Sequence, residues 1–83
     1  MSLTVVITGA GSGFGKGAAL ALSARGHHVI ATTETEAQAT ALRAEAPQLQ
    51  VEKLDITNAA DIQKINGWNV DVLLNNAGAG QTG

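Results

Sequence analysis

Cysteine is absent from this chain, which excludes a disulfide framework, a thiolate metal site and a cysteine nucleophile together. Charge is sparse. Five Lys+Arg against seven Asp+Glu leave a formal charge of −2, and Lys16, Arg25, Arg43, Lys53 and Lys64 are scattered, so no basic patch for nucleic acid forms. No apolar run approaches the roughly 20 residues of a membrane span, and the N-terminus lacks the basic region and cleavage pattern of a secretory signal. A cytoplasmic protein is therefore expected. Phe14 and Trp68 are the only aromatics, and Trp68 is expected to cover an apolar patch beside the last strand rather than stack on a base. With 83 residues and 45% apolar content, the chain holds one small domain at most. At this size folding buries only about 60% of the unfolded surface, so the core is thin.

Leu3 to Ile7 is β-branched after its first residue and too short for a helix, which suits a strand buried on both faces. It runs into Thr8-Gly9-Ala10-Gly11-Ser12-Gly13-Phe14-Gly15. From Gly13 to Arg25, alanines and leucines predict a helix with small contact residues, stopped at Gly26. His28 to Thr32 predicts a second strand, and Thr35-Glu36-Ala37-Gln38 a capping box that opens a helix from Glu36 to Glu45. Pro47 ends that helix, because it lacks a donor and pushes the preceding residue out of helical geometry.

Leu49 to Leu54 mixes Gln50, Glu52 and Lys53 with apolar residues, as a guarded sheet edge does. Asn58 and Asp61 predict a short helix with Ile62 and Ile65 on one face, stopped at Asn66-Gly67. Val70 to Leu74 is the fourth strand. The order βαβαβαβ asks for a parallel sheet with right-handed crossovers, in doubly wound order 3-2-1-4. The last strand, four of whose five residues are apolar, would then sit at an edge with nothing to cover it, so the sequence is expected to stop mid-domain.

A strand that ends in glycines and opens a helix gathers backbone N–H groups and the positive helix end around one point, which attracts phosphate. Gly9, Gly13 and Gly15 serve there for positive φ, close backbone approach to a ligand and close helix packing. A Walker A loop read through Gly15-Lys16 fails at Ala10 and Gly17. The fingerprint G-x-G-x-x-G fails at Phe14 when started from Gly9, and at Lys16 when started from Gly11. T-G-x-x-x-G-x-G, from Thr8 to Gly15, fits. A glycine-rich turn without a ligand is the competing reading, but such a stretch costs conformational entropy without supplying packing.

This motif resembles the cofactor loop of the short-chain dehydrogenase/reductase family, and so do Leu54-Asp55-Ile56-Thr57 and Asn75-Asn76-Ala77-Gly78, in the same order, each after a strand. The resemblance covers essentially all of the chain but only about the first third of that family's usual domain. It implies an α/β, Rossmann-like doubly wound sheet and an NAD(P)-dependent oxidoreductase acting on alcohols or ketones, a homo-oligomer when complete. By the same resemblance, Gly9, Ser12, Gly13, Phe14 and Gly15 would cradle the pyrophosphate and the adjacent ribose, braced by Thr8. Asp55 would accept from the adenine amino group and Ile56 would lie on the ring. Asn76, Ala77 and Gly78 would pass beneath the adenosine ribose, while Asn75 stitches neighbouring strands. Two plainer readings stand beside these: Asp55 as the start of a turn, and Asn75-Asn76 as a polar strand ending.

Cofactor choice turns on the end of strand two, where an acidic residue holds the ribose hydroxyls of NAD and a basic one welcomes the 2′-phosphate of NADP. Thr33 occupies the usual acidic place, with Glu34 beside it and no basic residue at Ser12. That favours NAD over NADP. His27 and His28 lie at the opposite, amino end of strand two and read as strand-start residues rather than ligands.

The family's proton transfer uses a Ser and a Tyr-x-x-x-Lys pair, and this chain has no tyrosine, so no catalytic residue is assigned. Two function classes remain. One is the dinucleotide-binding part of an oxidoreductase, and the other a module that binds a dinucleotide without reacting it. A third reading is a chain that self-associates through its last strand.

Overall fold

A computed structural model describes residues 2–11 and 13–76. The elements are β1 (Thr4–Ile7), α1 (Gly13–Ala24), β2 (His28–Thr33), α2 (Glu36–Glu45), β3 (Gln50–Lys53), α3 (Ala59–Lys64), a 3₁₀ helix (Ile65–Trp68) and β4 (Val72–Leu74). The strands form one parallel sheet in the order β3-β2-β1-β4. Thr4 pairs with His28, Val5 with Val72 and Ile30 with Gln50. The strand order reverses between β1 and β4. In a right-handed fold this sends the β3-to-β4 crossover to the face opposite α1 and α2.

Side chains alternate across the sheet. On one face Val5, Ile7, Val29, Ala31 and Val51 form a core with Ala10, Ala19, Ala39, Leu42, Ala46 and Leu49. Alanine at the helix positions lets α1 and α2 press close. Val6 and Ile30, on the other face, are also buried, which is why β1 and β2 read as unbroken apolar runs.

The helix ends follow their residues. Past α1, the Gly26 N–H donates to Ser23 O and the His27 N–H to Leu22 O, with Gly26 at φ 91°, a Schellman termination. In α2, Thr35 is the N-cap and accepts the Gln38 N–H at 3.2 Å. The reciprocal half of the expected capping box is not formed among the described residues. The Gln38 side chain instead lies beside Gly11, its Cδ 3.6 Å from where a Gly11 Cβ would stand. Ala46, just before Pro47, closes the helix in non-helical geometry.

The third crossover departs from expectation. Asn58 caps α3 by accepting the Ala60 and Asp61 N–H groups, but the buried residue of α3 is Asp61, while Ile62 is exposed. The chain does not stop at Asn66-Gly67. It tightens into the 3₁₀ helix and turns at Asn69 in the left-handed region (φ 52°). Asn tolerates that conformation better than most residues. β4 begins two residues later than expected because Asp71 is used as a clamp: its Oδ2 accepts the Thr4 N–H at 2.8 Å and its own N–H donates to Thr4 O at 2.9 Å. Val72, Leu73 and Leu74 are 36–49% exposed. Among the described residues no helix is long and apolar enough to cross a membrane.

Candidate functional site

The loops that leave β1, β2, β3 and β4 all emerge at the carboxyl edge of the parallel sheet, so the topology brings the described residues of each sequence-predicted segment to one edge. The loop after β1 is pinned on two sides. The Ala10 N–H donates to Thr32 O at 2.8 Å, tying it to β2. On the β4 side, Asn76 Nδ2 donates to Gly9 O at 3.2 Å, the Thr8 N–H donates to Leu74 O at 3.0 Å, and Thr8 Oγ1 donates to Asn75 Oδ1 at 3.0 Å. Asn75 therefore stitches β4 to the end of β1, and Thr8 braces the turn.

The glycines of this loop differ in what they allow. Gly9 has φ 65° and Gly13 φ 62°, a region that side-chain-bearing residues rarely adopt. A Cβ on Gly15 would stand 2.6 Å from Gly9 O and 2.7 Å from Asn76 Nδ2, so only glycine lets α1 sit this close to the loop. A Cβ on Gly13 would meet nothing within 4 Å. The first turn of a helix leaves N–H groups without intrahelical acceptors. Here that turn, Gly13 to Gly15, faces the point where the strand order reverses. A cleft of about 170 Å³ opens there, lined by Ile7, Phe14, Gly15, Ala18, Leu74, Asn75 and Asn76. Phe14 is 80% exposed.

At the end of β2, Thr33 is buried and its Oγ1 donates to Thr35 O at 3.0 Å. Its hydroxyl is thus committed to the chain, and Glu34 is the exposed polar group at this position. Thr33 Cγ2 also lies 3.6 Å from the Cβ position of Gly11, so Gly11, Thr33 and Gln38 meet here.

After β3, Asp55 does start a turn. Its Oδ1 accepts the Thr57 N–H at 2.9 Å and Thr57 Oγ1 at 2.6 Å, and its carbonyl accepts the Asn58 N–H. The Thr57 hydroxyl, then the Thr57 N–H, hold the Asp55 carboxyl below its ordinary pKa. Asp55 Oδ2 has no partner among the described residues, so the turn role leaves one oxygen to offer. Ile56 is half-buried beside it. Ser12, Ala77 and Gly78, the other sequence-predicted members, lie outside the described residues.

Asp61, which the sequence marks only as a helix opener, is the buried anion of this region. Its Oδ2 accepts the Asp55 N–H at 2.9 Å and Lys53 Nζ at 2.9 Å, and its Oδ1 stands 3.3 Å from Lys64 Nζ. The Asp55 N–H, then Lys53, push the Asp61 carboxyl well below the usual range, and Asp61 in turn raises Lys53. The available signal was the placement of Lys64 three residues further on. The histidines lie away from this edge: His27 Nδ1 accepts the Leu3 N–H, and His28 Nε2 pairs with Gln50 Oε1.

Comparison with known proteins agrees with this geometry. The family model described as short chain dehydrogenase matches residues 3–83. A short-chain dehydrogenase from Bacillus anthracis str. 'Ames Ancestor' is 31% identical with a TM-score of 0.75, over 89% of this chain and 34% of its own. A serine dehydrogenase complexed with NADP⁺ is 32% identical with a TM-score of 0.72, over 86% and 32%. A variant of actinorhodin polyketide ketoreductase with NADPH is 25% identical with a TM-score of 0.76, over 90% and 33%. The chain thus spans about a third of the length of these structures. None of the curated protein sequences compared with it matches. With the family model matched from residue 3 to residue 83, the chain belongs to the short-chain dehydrogenase family.

Proposed function

We propose that this chain supplies the dinucleotide-binding part of an NAD(P)-dependent oxidoreductase that interconverts alcohols and carbonyl compounds. The observation that carries the reading is the Thr8–Gly15 loop, held between β2 and β4 where the strand order reverses, with the open-faced first turn of α1 presented to the cleft. An open sheet takes its ligand in such a crevice, and a helix start of this kind takes an anion.

In this reading Gly9, Ser12, Gly13, Phe14 and Gly15 hold the pyrophosphate and its ribose. Thr33 and Glu34 flank the adenosine ribose, Asp55 accepts from the adenine amino group through its unpartnered oxygen, and Ile56 lies on the ring. Asn76, Ala77 and Gly78 line the floor. When bound, the dinucleotide supplies hydride transfer. The 83 residues contain no tyrosine, so the proton donor belongs outside this chain. Glu34 favours NAD, because its carboxylate would face the 2′-phosphate of NADP without a cation to offset it. Two structures similar to this chain hold NADP⁺ and NADPH, and titration of the chain with NAD and with NADP measures the preference. A homo-oligomeric, cytoplasmic protein remains part of the proposal.

The test is thermal. A ligand present at 100-fold its Kd and bound only to the folded state stabilises it by about 2.7 kcal/mol. NAD is expected to raise the melting temperature, NADP less so, and no shift with millimolar NAD or NADP would remove the assignment. A module that binds without reacting is the alternative. It predicts the same shift but no carbonyl reduction by any longer polypeptide that contains this chain.

A further inference from the structure

We propose that Asp61 is a positioning residue for the adenine end of the dinucleotide site: its buried carboxylate fixes the main chain at Asp55 and thereby aims Oδ2 of the Asp55 side chain. The inference rests on the reading above in which Asp55 accepts from the adenine amino group.

The geometry leaves Asp55 dependent on this contact. The Leu54 N–H donates to Thr33 O at 2.7 Å, the last bond that ties this segment to β2. Beyond it the chain leaves the sheet, and the Asp55 N–H is taken by Asp61 Oδ2 at 2.9 Å. The Asp55 side chain is then set against its own backbone, because its Oδ1 accepts both the N–H and the hydroxyl of Thr57. With the amide and one oxygen both fixed, the direction of Oδ2 follows from where Asp61 holds the backbone.

Asp61 is itself immobilised. Its N–H donates to Asn58 Oδ1, Lys53 from the end of β3 binds the same oxygen that holds Asp55, and Lys64 meets the other. Stability alone does not call for this arrangement. Among the described residues Asp61 is the only buried charged side chain, at 7% exposure, while the apolar Ile62 beside it is left outside. Burying a charge is costly even when it is paired, and an apolar residue at such a place is often as stabilising. What an apolar residue cannot do is accept the Asp55 N–H.

The experiment compares AMP with IMP, whose carbonyl replaces the adenine amino group and cannot donate to Asp55. Binding of each nucleotide, and of inorganic pyrophosphate, is measured on the chain and on its variants, with circular dichroism as the check on folding. The wild-type chain is expected to prefer AMP. Asp61→Leu should lower the AMP-to-IMP affinity ratio at least fivefold while pyrophosphate affinity stays within twofold. Asp61→Asn, which keeps an acceptor for the Asp55 N–H, should restore most of the preference.

A folded Asp61→Leu with an unchanged ratio overturns the inference and leaves the adenine role of Asp55 standing. A wild-type chain without preference removes that role, and this inference with it. Should Asp61→Leu fail to fold, amide exchange in the wild-type chain decides. Protection of the Asp55 N–H must rise with AMP and not with IMP, and equal protection overturns the proposal.

Discussion

Val29 to Thr33 are buried along β2, whereas Val72, Leu73 and Leu74 of β4 are 36–49% exposed, although both strands pair in parallel with β1. The first flank is held by apolar packing: alanines of α1 and α2 close over the sheet, and Leu42 is buried at its centre. The second is held at its ends by polar contacts, Asp71 at the amino end and Thr8, Asn75 and Asn76 at the carboxyl end. The candidate site lies on the seam between them. Its glycine loop inherits rigidity from the packed flank through Ala10 and Thr32, and meets the hydrogen-bonded flank through Asn76.

Paired substitutions on the two flanks give the largest effect. Leu42→Ala should cost about 2–5 kcal/mol, the usual range for emptying a buried leucine site. Leu73→Ala, on the exposed strand, should cost less than about 1 kcal/mol. Urea unfolding of both variants checks this, and equal losses would show that β4 is as firmly packed as the α2 side of the sheet.

Next comes Gly15→Ala on the seam. Its Cβ would stand 2.6 Å from a backbone oxygen that cannot swing away, so destabilisation should reach or exceed the ~1–3 kcal/mol typical of overpacking. Backbone amide shifts at Gly9 and Asn76 should report the strain.

Gly13→Ala sharpens the contrast within the loop. The added Cβ has open space, so only the left-handed conformation is penalised, by roughly 1–2 kcal/mol. The melting shift with NAD should nevertheless vanish, since the methyl occupies the approach to the first turn of α1. A retained shift would place the ligand elsewhere. Thr35→Ala, which removes the α2 cap on the packed flank, should cost about 1 kcal/mol and leave ligand binding unchanged, as thermal melts with and without NAD would show.

Acid should act at the end of β3, on the side of the sheet away from β4. Asp61 and Asp55 both titrate below their ordinary values in the folded chain. Folding therefore gains from their ionised forms above the unfolded value of about 3.9, and loses that gain as pH falls through the depressed folded values. Stability measured from pH 6 to pH 2 should drop below about pH 4, and Asp61→Asn should flatten the drop.

Much of this was open to reading along the chain. The strand-and-helix alternation, the stop at Gly26, the Thr35 cap, the break before Pro47 and the 3-2-1-4 order all follow from contacts within a few residues or from handedness. Three features were not readable. The Gln38 side chain lies beside Gly11 and Thr33 rather than back on Thr35, in space that a side chain at position 11 would share. The third crossover tightened into a 3₁₀ turn ending at Asn69 rather than stopping at Asn66-Gly67. Asp61 rather than an isoleucine faced inward, because an amide leaving the sheet at Asp55 and two lysines were waiting for it.

The sequence by itself determined which elements form and that a glycine turn opens α1, since helix and strand periods, caps and positive φ are set by neighbouring residues. Only the tertiary structure decided which of the polar groups at the carboxyl edge remain available. Asn76 reaches a carbonyl 67 positions away, Thr33 turns its hydroxyl onto Thr35, and Asp55 engages one carboxylate oxygen and leaves the other without a partner among the described residues. Whether a donor or acceptor is already satisfied depends on what the folded chain brings beside it, and sequence spacing carries no record of that.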